Sequence, residues 1–304
     1  MLKATVSNQT WLVQQHHHAQ VSGFLAAHWG GVHGFARPGH FPGATSPAKW
    51  REEVILGIAE HDNGWWEWEA MPSISLQDGL PVGVGEAASP TLENEFAEWR
   101  SGGFDRWRLG IQRLADSRPY AALLTSLHAY WLYAVAFEDL HTDDADAFRH
   151  PVFGPPDVAA GLVGDEAGTR SFLEEQARLQ CSLVERLVQH DGWGASVARE
   201  HLHPHVRLLQ LLDSMSLFLA LNDPKTHTLH DVPRSSWADR DTIRWSRPSA
   251  RTVQMDPYPF DMDPLIVHLP LRQLPTDHHP ETPFALLHGT PLRTVEFKLT
   301  SPAQ

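Results

Sequence analysis

The sequence predicts a mainly α-helical protein, in which a bundle of roughly five to seven helices precedes a small β-rich element at the C-terminal end. Apolar residues recur every three or four positions in most segments before Asn222, which is the period of an amphipathic helix. Beyond Asn222, prolines and alternating β-branched residues replace that pattern, as in short strands. We therefore expect a helical domain over residues 1–222 and a β-containing extension over 223–304 packed on it, or a single domain formed by both.

The individual elements follow from these stripes and from their end signals. Gly30-Gly31 ends the first helix, and Ser46-Pro47 begins the second as an N-cap followed by proline. Helices are predicted at residues 15–29, 47–62, 91–101, 103–116, 120–137, 170–189 and 205–221. Strands are predicted at residues 10–13, 252–255, 265–269 and 293–299, and long loops at 37–47, 69–92 and 138–168.

Composition narrows the class of partner. A net charge of −13 argues against nucleic-acid polymers and anionic membranes and leaves a small-molecule substrate as the expected partner. No apolar run reaches the roughly 18 residues of a membrane span, and the first residues lack a secretory pattern, so we expect a cytoplasmic protein. The single cysteine, Cys181, excludes an intrachain disulfide and a multi-thiolate metal site.

The pair His61-Asp62 lies on the apolar stripe of the second predicted helix. His61 follows Val54 by seven residues and Ile58 by three, so its side chain faces the interior with theirs. Burying an imidazole and a carboxylate costs several kcal/mol unless each finds a partner. A metal ion would be such a partner.

Three further helices each place one ionisable residue on an apolar stripe. His18 precedes Val21 by three residues, and His128 follows Leu124 by four. Asp213 lies in a helix that is apolar almost all round, where an unpaired carboxylate is unfavourable. Four separate helices are therefore each predicted to place at least one ionisable side chain in the protein interior.

The order His … His-Asp … Asp over a helical bundle resembles the HD superfamily of metal-dependent phosphohydrolases. The resemblance implies an HD-like bundle and a site in which His18, His61, Asp62 and Asp213 bind one or two divalent transition metal ions (Mn, Fe, Zn, Ni or Co). It also implies a metal-dependent hydrolase of a small phosphate ester or a nucleotide, in which Asp62 and His128 serve catalysis. His128 could instead bind a second metal or be a packed core residue.

Six longer motifs cover most of the chain: Gln15-His16-His17-His18-Ala19, His61-Asp62-Asn63-Gly64-Trp65, Ser126-Leu127-His128, Phe172-Leu173-Glu174-Glu175-Gln176, Asp213-Ser214-Met215-Ser216-Leu217-Phe218 and Asp256-Pro257-Tyr258-Pro259-Phe260. Through them the chain is similar to an uncharacterised bacterial family, domain of unknown function 3891. That family implies no activity, so the expected function depends on the HD resemblance.

Two alternatives to the hydrolase stay open. An HD-type di-iron oxygenase would need extra histidine ligands, for which His128 is the best candidate in the core. A non-catalytic HD-like protein would use the site for structure or for a regulatory ligand.

Other histidines and aromatic residues receive less specific interpretations. His190-Asp191 repeats the dipeptide at a helix end without an apolar stripe, so we expect a helix C-cap and loop there. The sequence predicts exposed histidines at His201, His203 and His205. It favours core packing for Trp65, Trp66 and Trp68, which could instead form a wall of a substrate pocket. Glu175 and Gln176 are candidates for hydrogen-bonding the ligand histidines.

Overall fold

A seven-stranded sheet joins both ends of the chain in this computed structural model, which describes residues 1–41, 44, 46–75, 78–83, 93–189, 193–276 and 282–302. Its strands are β1 (Leu2–Val6), β2 (Gln9–Val13), β3 (His227–Pro233), β4 (Arg240–Ser249), β5 (Thr252–Asp256), β6 (Leu265–Pro275) and β7 (Leu292–Thr300). The strand order is β1-β2-β6-β7-β5-β4-β3. All neighbours are antiparallel except β5 and β7, which are parallel.

The expectation of a mainly α bundle with a small β appendage is wrong. About half of the chain is helical, and the sheet spans much of the sequence. β2 pairs with β6 in the register Thr10↔Leu274, so strands from both sides of residue 222 share one sheet. Local patterns could not reveal this pairing, because it joins segments more than 250 residues apart. The proposed boundary at residue 222 remains a prediction.

The helices of the described chain are α1 (Gln15–His28), α2 (Pro47–Ala59), α3 (Trp66–Ala70), α4 (Glu93–Ala115), α5 (Pro119–Ala134), α6 (Pro156–Val163), α7 (Glu166–Gln189), α8 (Arg199–Ala220) and α9 (Pro283–Gly289). Short 3₁₀ turns cover Asn63–Trp65, Glu138–Leu140, Ala145–Phe148 and Gly194–Val197. None of the described helices is both long and apolar enough to cross a bilayer.

The helices of the structure differ from the predicted ones in three places. Residues 91–101 and 103–116 were expected as two helices, but α4 runs without interruption through Gly102 and Gly103. The long loop at 138–168 contains α6, and α8 begins at Arg199 with Pro204 inside it. Glycines and prolines weaken helices, and here tertiary packing overrides that local preference.

The helix α1 occupies the centre of the helical layer, packed on α2, α8 and strand β6. Gly23 of α1 lies against Ala59 of α2 so closely that a Cβ atom at Gly23 would collide with the alanine. This approach of two backbones brings the first turn of α1 next to the end of α2. His18 and the pair His61-Asp62 lie at these two places.

Candidate metal centre

His61 and Asp62 lie directly beyond the C-terminal end of α2, in the turn that leads into the 3₁₀ segment Asn63–Trp65. The turn is held against α4, since a Cβ atom at Gly64 would overlap the Arg106 carbonyl oxygen. Both side chains are buried, with 1% of His61 and 5% of Asp62 exposed. The sequence predicts that both residues lie on the buried stripe of a helix. In the structure the helix ends before them, and they are buried in the turn that follows it.

The ring of His61 is oriented for a ligand on Nε2. Its Nδ1 donates a hydrogen bond to the Ile58 carbonyl oxygen at 2.8 Å, so the neutral ring has its proton on Nδ1. Its Nε2 is buried and has no hydrogen-bond partner in the part of the chain that the structure describes. That nitrogen lies 3.5 Å from Asp213 Oδ1 and 3.7 Å from Asp62 Oδ2. A metal-binding histidine usually donates a hydrogen bond from one ring nitrogen and binds the metal through the other.

His18 has the same arrangement on the facing helix. Ser216 Oγ donates its proton to the Asp213 carbonyl oxygen and lies 2.9 Å from His18 Nδ1, so Nδ1 is the donor of that contact. The Nε2 atom of His18 lies 2.9 Å from Asp62 Oδ2. Ser22 adds a hydrogen bond to Ser216 Oγ at 2.9 Å, which fixes the serine in turn. The second ring nitrogen of His18 therefore also points at a carboxylate.

Asp213 projects from the middle of α8 and connects the two sides of the site. It is 3% exposed, and its Oδ1 has no hydrogen-bond partner among the described residues. Burial alone would raise its pKa, but the charge of His61 and the hydrogen bond from His150 hold that pKa well below the usual value. The carboxyl group is thus ionised in the folded protein.

His128, on α5, faces the other oxygen of Asp213. Its Nε2 lies 3.5 Å from Asp213 Oδ2, while its Nδ1 is buried without a hydrogen-bond partner. Burial lowers the pKa of His128 well below its usual value, so the ring is neutral. The sequence prediction that His128 reaches the same interior site therefore agrees with the geometry.

His150 belongs to the site and was not identified from the sequence. Its Nδ1 accepts hydrogen bonds from the backbone N–H groups of Val152 and Phe153, each at 3.2 Å. The neutral ring must then have its proton on Nε2, which donates to Asp213 Oδ2 at 3.0 Å. Burial lowers the pKa of His150, although Asp213 opposes that shift. His150 therefore orients Asp213 and does not offer a free lone pair of its own.

The donor set fits a transition metal ion. His18, His61 and Asp62 present ligand atoms within 4.8 Å of one another, as do His61, His128 and Asp213. Ligand atoms that meet a metal at right angles, with bonds of about 2.1 Å, lie about 3 Å apart. The contact of 2.9 Å between His18 and Asp62 is close to that value, and the contacts of His61 at 3.5 and 3.7 Å are slightly longer.

Without a metal, a proton must supply the positive charge. Burial favours neutral His61, but the carboxylates of Asp62 and Asp213 outweigh it and raise its pKa to about 9. Metal binding at Nε2 would displace that proton. A protonated His61 paired with Asp213 is the structural alternative to a metal site, and metal analysis distinguishes the two.

A cavity opens onto the four proposed ligands and His128. Its other described lining residues are mostly apolar or aromatic: Gln15, Trp65, Gly103, Phe104, Trp107, Leu132, Tyr133, Phe153, Leu162 and Leu217. Trp65 lines this cavity and is also buried, whereas Trp66 is largely exposed. No lysine or arginine is among the described lining residues.

The remaining sequence candidates lie elsewhere. Glu175 pairs with Arg108, and Gln176 accepts a hydrogen bond from Ser126, so neither has a recorded contact with the ligand histidines. His201 and His205 are buried, contrary to the expectation that they are exposed. The dipeptide His190-Asp191 lies outside the described residues.

Comparison with known proteins identifies a family but no activity. The family model described as "Protein of unknown function (DUF3891)" matches residues 1–276, which is most of the chain. No curated protein and no solved structure matches the chain.

Proposed function

The chain belongs to the family of unknown function DUF3891, and we propose that it is a metal-dependent hydrolase of a small phosphate ester. The observation that carries the proposal is the free, buried Nε2 of His61, which faces two carboxylates while its Nδ1 is fixed by Ile58. Without a metal ion, or a proton on His61, such a meeting of hydrogen-bond acceptors in a buried site would be unfavourable. The proposed ligands are His18, His61, Asp62 and Asp213.

The metal ion would supply a water molecule acidified to near-neutral pKa and would polarise a phosphoryl oxygen. The chain contributes orientation. Ser216 and Ile58 fix the rings of His18 and His61, and His150 fixes Asp213 through a hydrogen bond of 3.0 Å. Buried partners of this kind hold ligands in one geometry and thereby limit the reorganisation that accompanies reaction.

Asp62 and His128 would act on the reacting groups. Asp62 would bind the ion and, as a carboxylate, could also accept a proton from the attacking water. His128 is neutral, and its Nδ1 has no hydrogen-bond partner among the described residues. We assign His128 to a hydrogen bond with the water or the leaving oxygen, so that it orients the ester.

The described cavity lining contains no lysine or arginine, so the metal would also have to bind the phosphoryl group. An anionic phosphoryl group needs positive charge or hydrogen-bond donors to leave water. The ion would provide that charge directly, even though the whole chain is negative. Substrate binding and water activation would both depend on the same metal.

The test combines metal analysis with a substrate panel. Protein purified without nickel columns would be analysed for Mn, Fe, Co, Ni and Zn and then assayed on phosphate esters, including 4-nitrophenyl phosphate. We expect stoichiometric metal and hydrolysis that a chelator removes and added metal restores. Protein without stoichiometric metal would overturn the proposal. Two iron ions with an O₂-dependent signal would favour a di-iron oxygenase, and bound metal without any hydrolysis would favour a non-catalytic site.

A further inference from the structure

The cavity beside the proposed ligands has a wall of aromatic and aliphatic side chains. Phe104 and Trp107 come from α4, Leu132 and Tyr133 from α5, and Leu162 from α6. The rings pack tightly on one another, with Phe104 edge-on to Tyr133 at 5.3 Å between centroids and stacked on Phe172 at 4.6 Å. Such a wall is rigid, and it gains free energy by covering apolar surface of a ligand.

Few polar atoms of the described wall could bind a polar ligand body. Gln15 and Trp65 line the cavity, and Gln15 Oε1 and Trp65 Nε1 are buried without hydrogen-bond partners among the described residues. The hydroxyl of Tyr133 has Trp107 as a hydrogen-bond partner, and burial raises the pKa of Tyr133 to about 12, so it stays protonated. The Gln15 amide, the Trp65 indole and a Tyr133 hydroxyl that is already bonded cannot satisfy a ribose together with a nucleobase.

We propose that this site selects phosphate esters with an apolar alcohol part, aryl or branched alkyl, and discriminates against nucleotides. The inference rests on the proposed function, because it assumes that the phosphoryl group lies on the metal. The apolar part would then lie against Phe104, Leu132 and Leu162. A nucleotide would have to bury hydroxyl and ring nitrogen atoms there without partners, which costs binding free energy for each of them.

Binding and turnover test the selectivity with the metal-loaded, full-length protein. Calorimetric titration would compare benzylphosphonate, which cannot be hydrolysed at its C–P bond, with adenosine 5′-monophosphate. The kcat/KM of phenyl phosphate would be compared with that of the nucleotide. We expect the aryl ligand to bind roughly 100-fold more tightly and the aryl ester to react with at least a similar preference. Equal or tighter binding of the nucleotide would overturn the inference.

A pair of variants on α6 locates the effect. Leu162→Asn places a polar side chain in the wall, whereas Val163→Asn changes the next residue, which is partly buried but does not line the cavity. We expect Leu162→Asn to weaken benzylphosphonate binding roughly tenfold and Val163→Asn to leave it unchanged. Equal effects of the two variants would contradict the proposed position of the apolar part.

Metal content separates this inference from the function on which it rests. Protein that contains stoichiometric metal and hydrolyses nucleotides better than phenyl phosphate refutes the inference alone. Protein that binds no metal, or that binds metal and hydrolyses none of the esters, refutes the proposed function and the inference with it.

Discussion

At the centre of the site, histidine nitrogens face carboxylate oxygens at distances of 2.9, 3.5 and 3.7 Å. The neutral ring of His61 has a lone pair on Nε2, since Nδ1 donates to the Ile58 carbonyl oxygen. The ionised carboxylate of Asp213 opposite that lone pair would be destabilising in a buried site without a cation. The same geometry can hold either a metal ion at His61 Nε2 or a proton on that nitrogen, and the proposed function requires the metal ion.

His150 provides a prediction at the scale of a residue. Because it orients Asp213 through Nε2, His150→Gln should weaken metal binding by roughly 10- to 100-fold without abolishing it. Competition with a fluorescent chelator measures the affinity. His230→Gln is the control, since His230 is exposed and does not line the cavity beside the proposed ligands. Complete loss of metal from His150→Gln would show that His150 is itself a ligand.

The sequence revealed those site residues that interrupt an apolar stripe. His18, His128 and Asp213 are conspicuous because a helical period predicts an apolar residue at each position. His150 gives no such signal, since it follows the 3₁₀ turn Ala145–Phe148 and precedes Pro151. Its position next to Asp213 depends on how a loop crosses α8, which local periodicity does not encode.

At the scale of the element, the 3₁₀ turn after α2 depends on glycine. Gly64→Ala would drive a methyl group into the Arg106 carbonyl of α4, so we expect it to lower the free energy of unfolding by roughly 1–3 kcal/mol. Urea denaturation measures the change. At Gly194 a Cβ atom would meet no described neighbour within 4 Å, so Gly194→Ala should be nearly neutral. Equal stabilities of the two variants would contradict this packing.

The helix α8 carries a second, pH-dependent prediction. His205 Nε2 accepts a hydrogen bond from the Gly39 N–H at 3.0 Å, and Nδ1 lies 2.7 Å from the Tyr120 hydroxyl. Burial lowers the pKa of His205 from 6.5 to about 3, so below pH 6.5 the unfolded chain takes up a proton that the folded chain refuses. Stability should therefore decrease as the pH falls from 6.5 toward 3.

The variant His205→Gln isolates this contribution. It removes the titrating ring, so its stability should fall less steeply with decreasing pH than that of the wild type, by up to about 1.4 kcal/mol per pH unit. Urea denaturation between pH 4 and pH 8 measures both slopes. His230→Gln should keep the wild-type slope, because His230 is exposed. Identical slopes for wild type and His205→Gln would refute the assignment.

Helix positions were predictable to within a few residues where the apolar stripe is clear, as for α1, α2 and α7. The ends of α8 and the continuity of α4 were not, because their prolines and glycines are stabilised by packing that has no local signature. The strands β5, β6 and β7 were recognised in part from β-branched runs. β1, β3 and β4 were missed, since β1 has only five residues and β3 and β4 contain many polar residues and pair with register shifts.

At the scale of the whole molecule, metal binding would link distant segments of the chain. The proposed ligands come from α1, the end of α2 and the middle of α8, so an ion would stabilise the folded state alone. A ligand at 100 times its Kd adds about 2.7 kcal/mol to the free energy of unfolding. We expect a chelator to lower the Tm by about 3–8 °C and added metal to restore it. No change of Tm on complete metal removal would contradict that linkage.

The sheet order shows why the fold class was the weakest sequence prediction. Pairing of β2 with β6 closes a loop of more than 250 residues, and the sequence of neither strand indicates which strand it pairs with. The helical layer could be inferred because each stripe is local, whereas the sheet could not. The interior site could be predicted from the sequence for the same reason as the helices, because its residues interrupt local apolar stripes.

Metal content of wild-type protein and of the variants His61→Ala and His230→Ala tests the central claim most directly. All three would be purified without nickel columns and measured by plasma mass spectrometry, with circular dichroism confirming that each is folded. The account predicts stoichiometric transition metal in the wild type and in His230→Ala, and loss of that metal in folded His61→Ala. Full metal occupancy in His61→Ala, or a metal-free wild type that cannot be loaded, would contradict it.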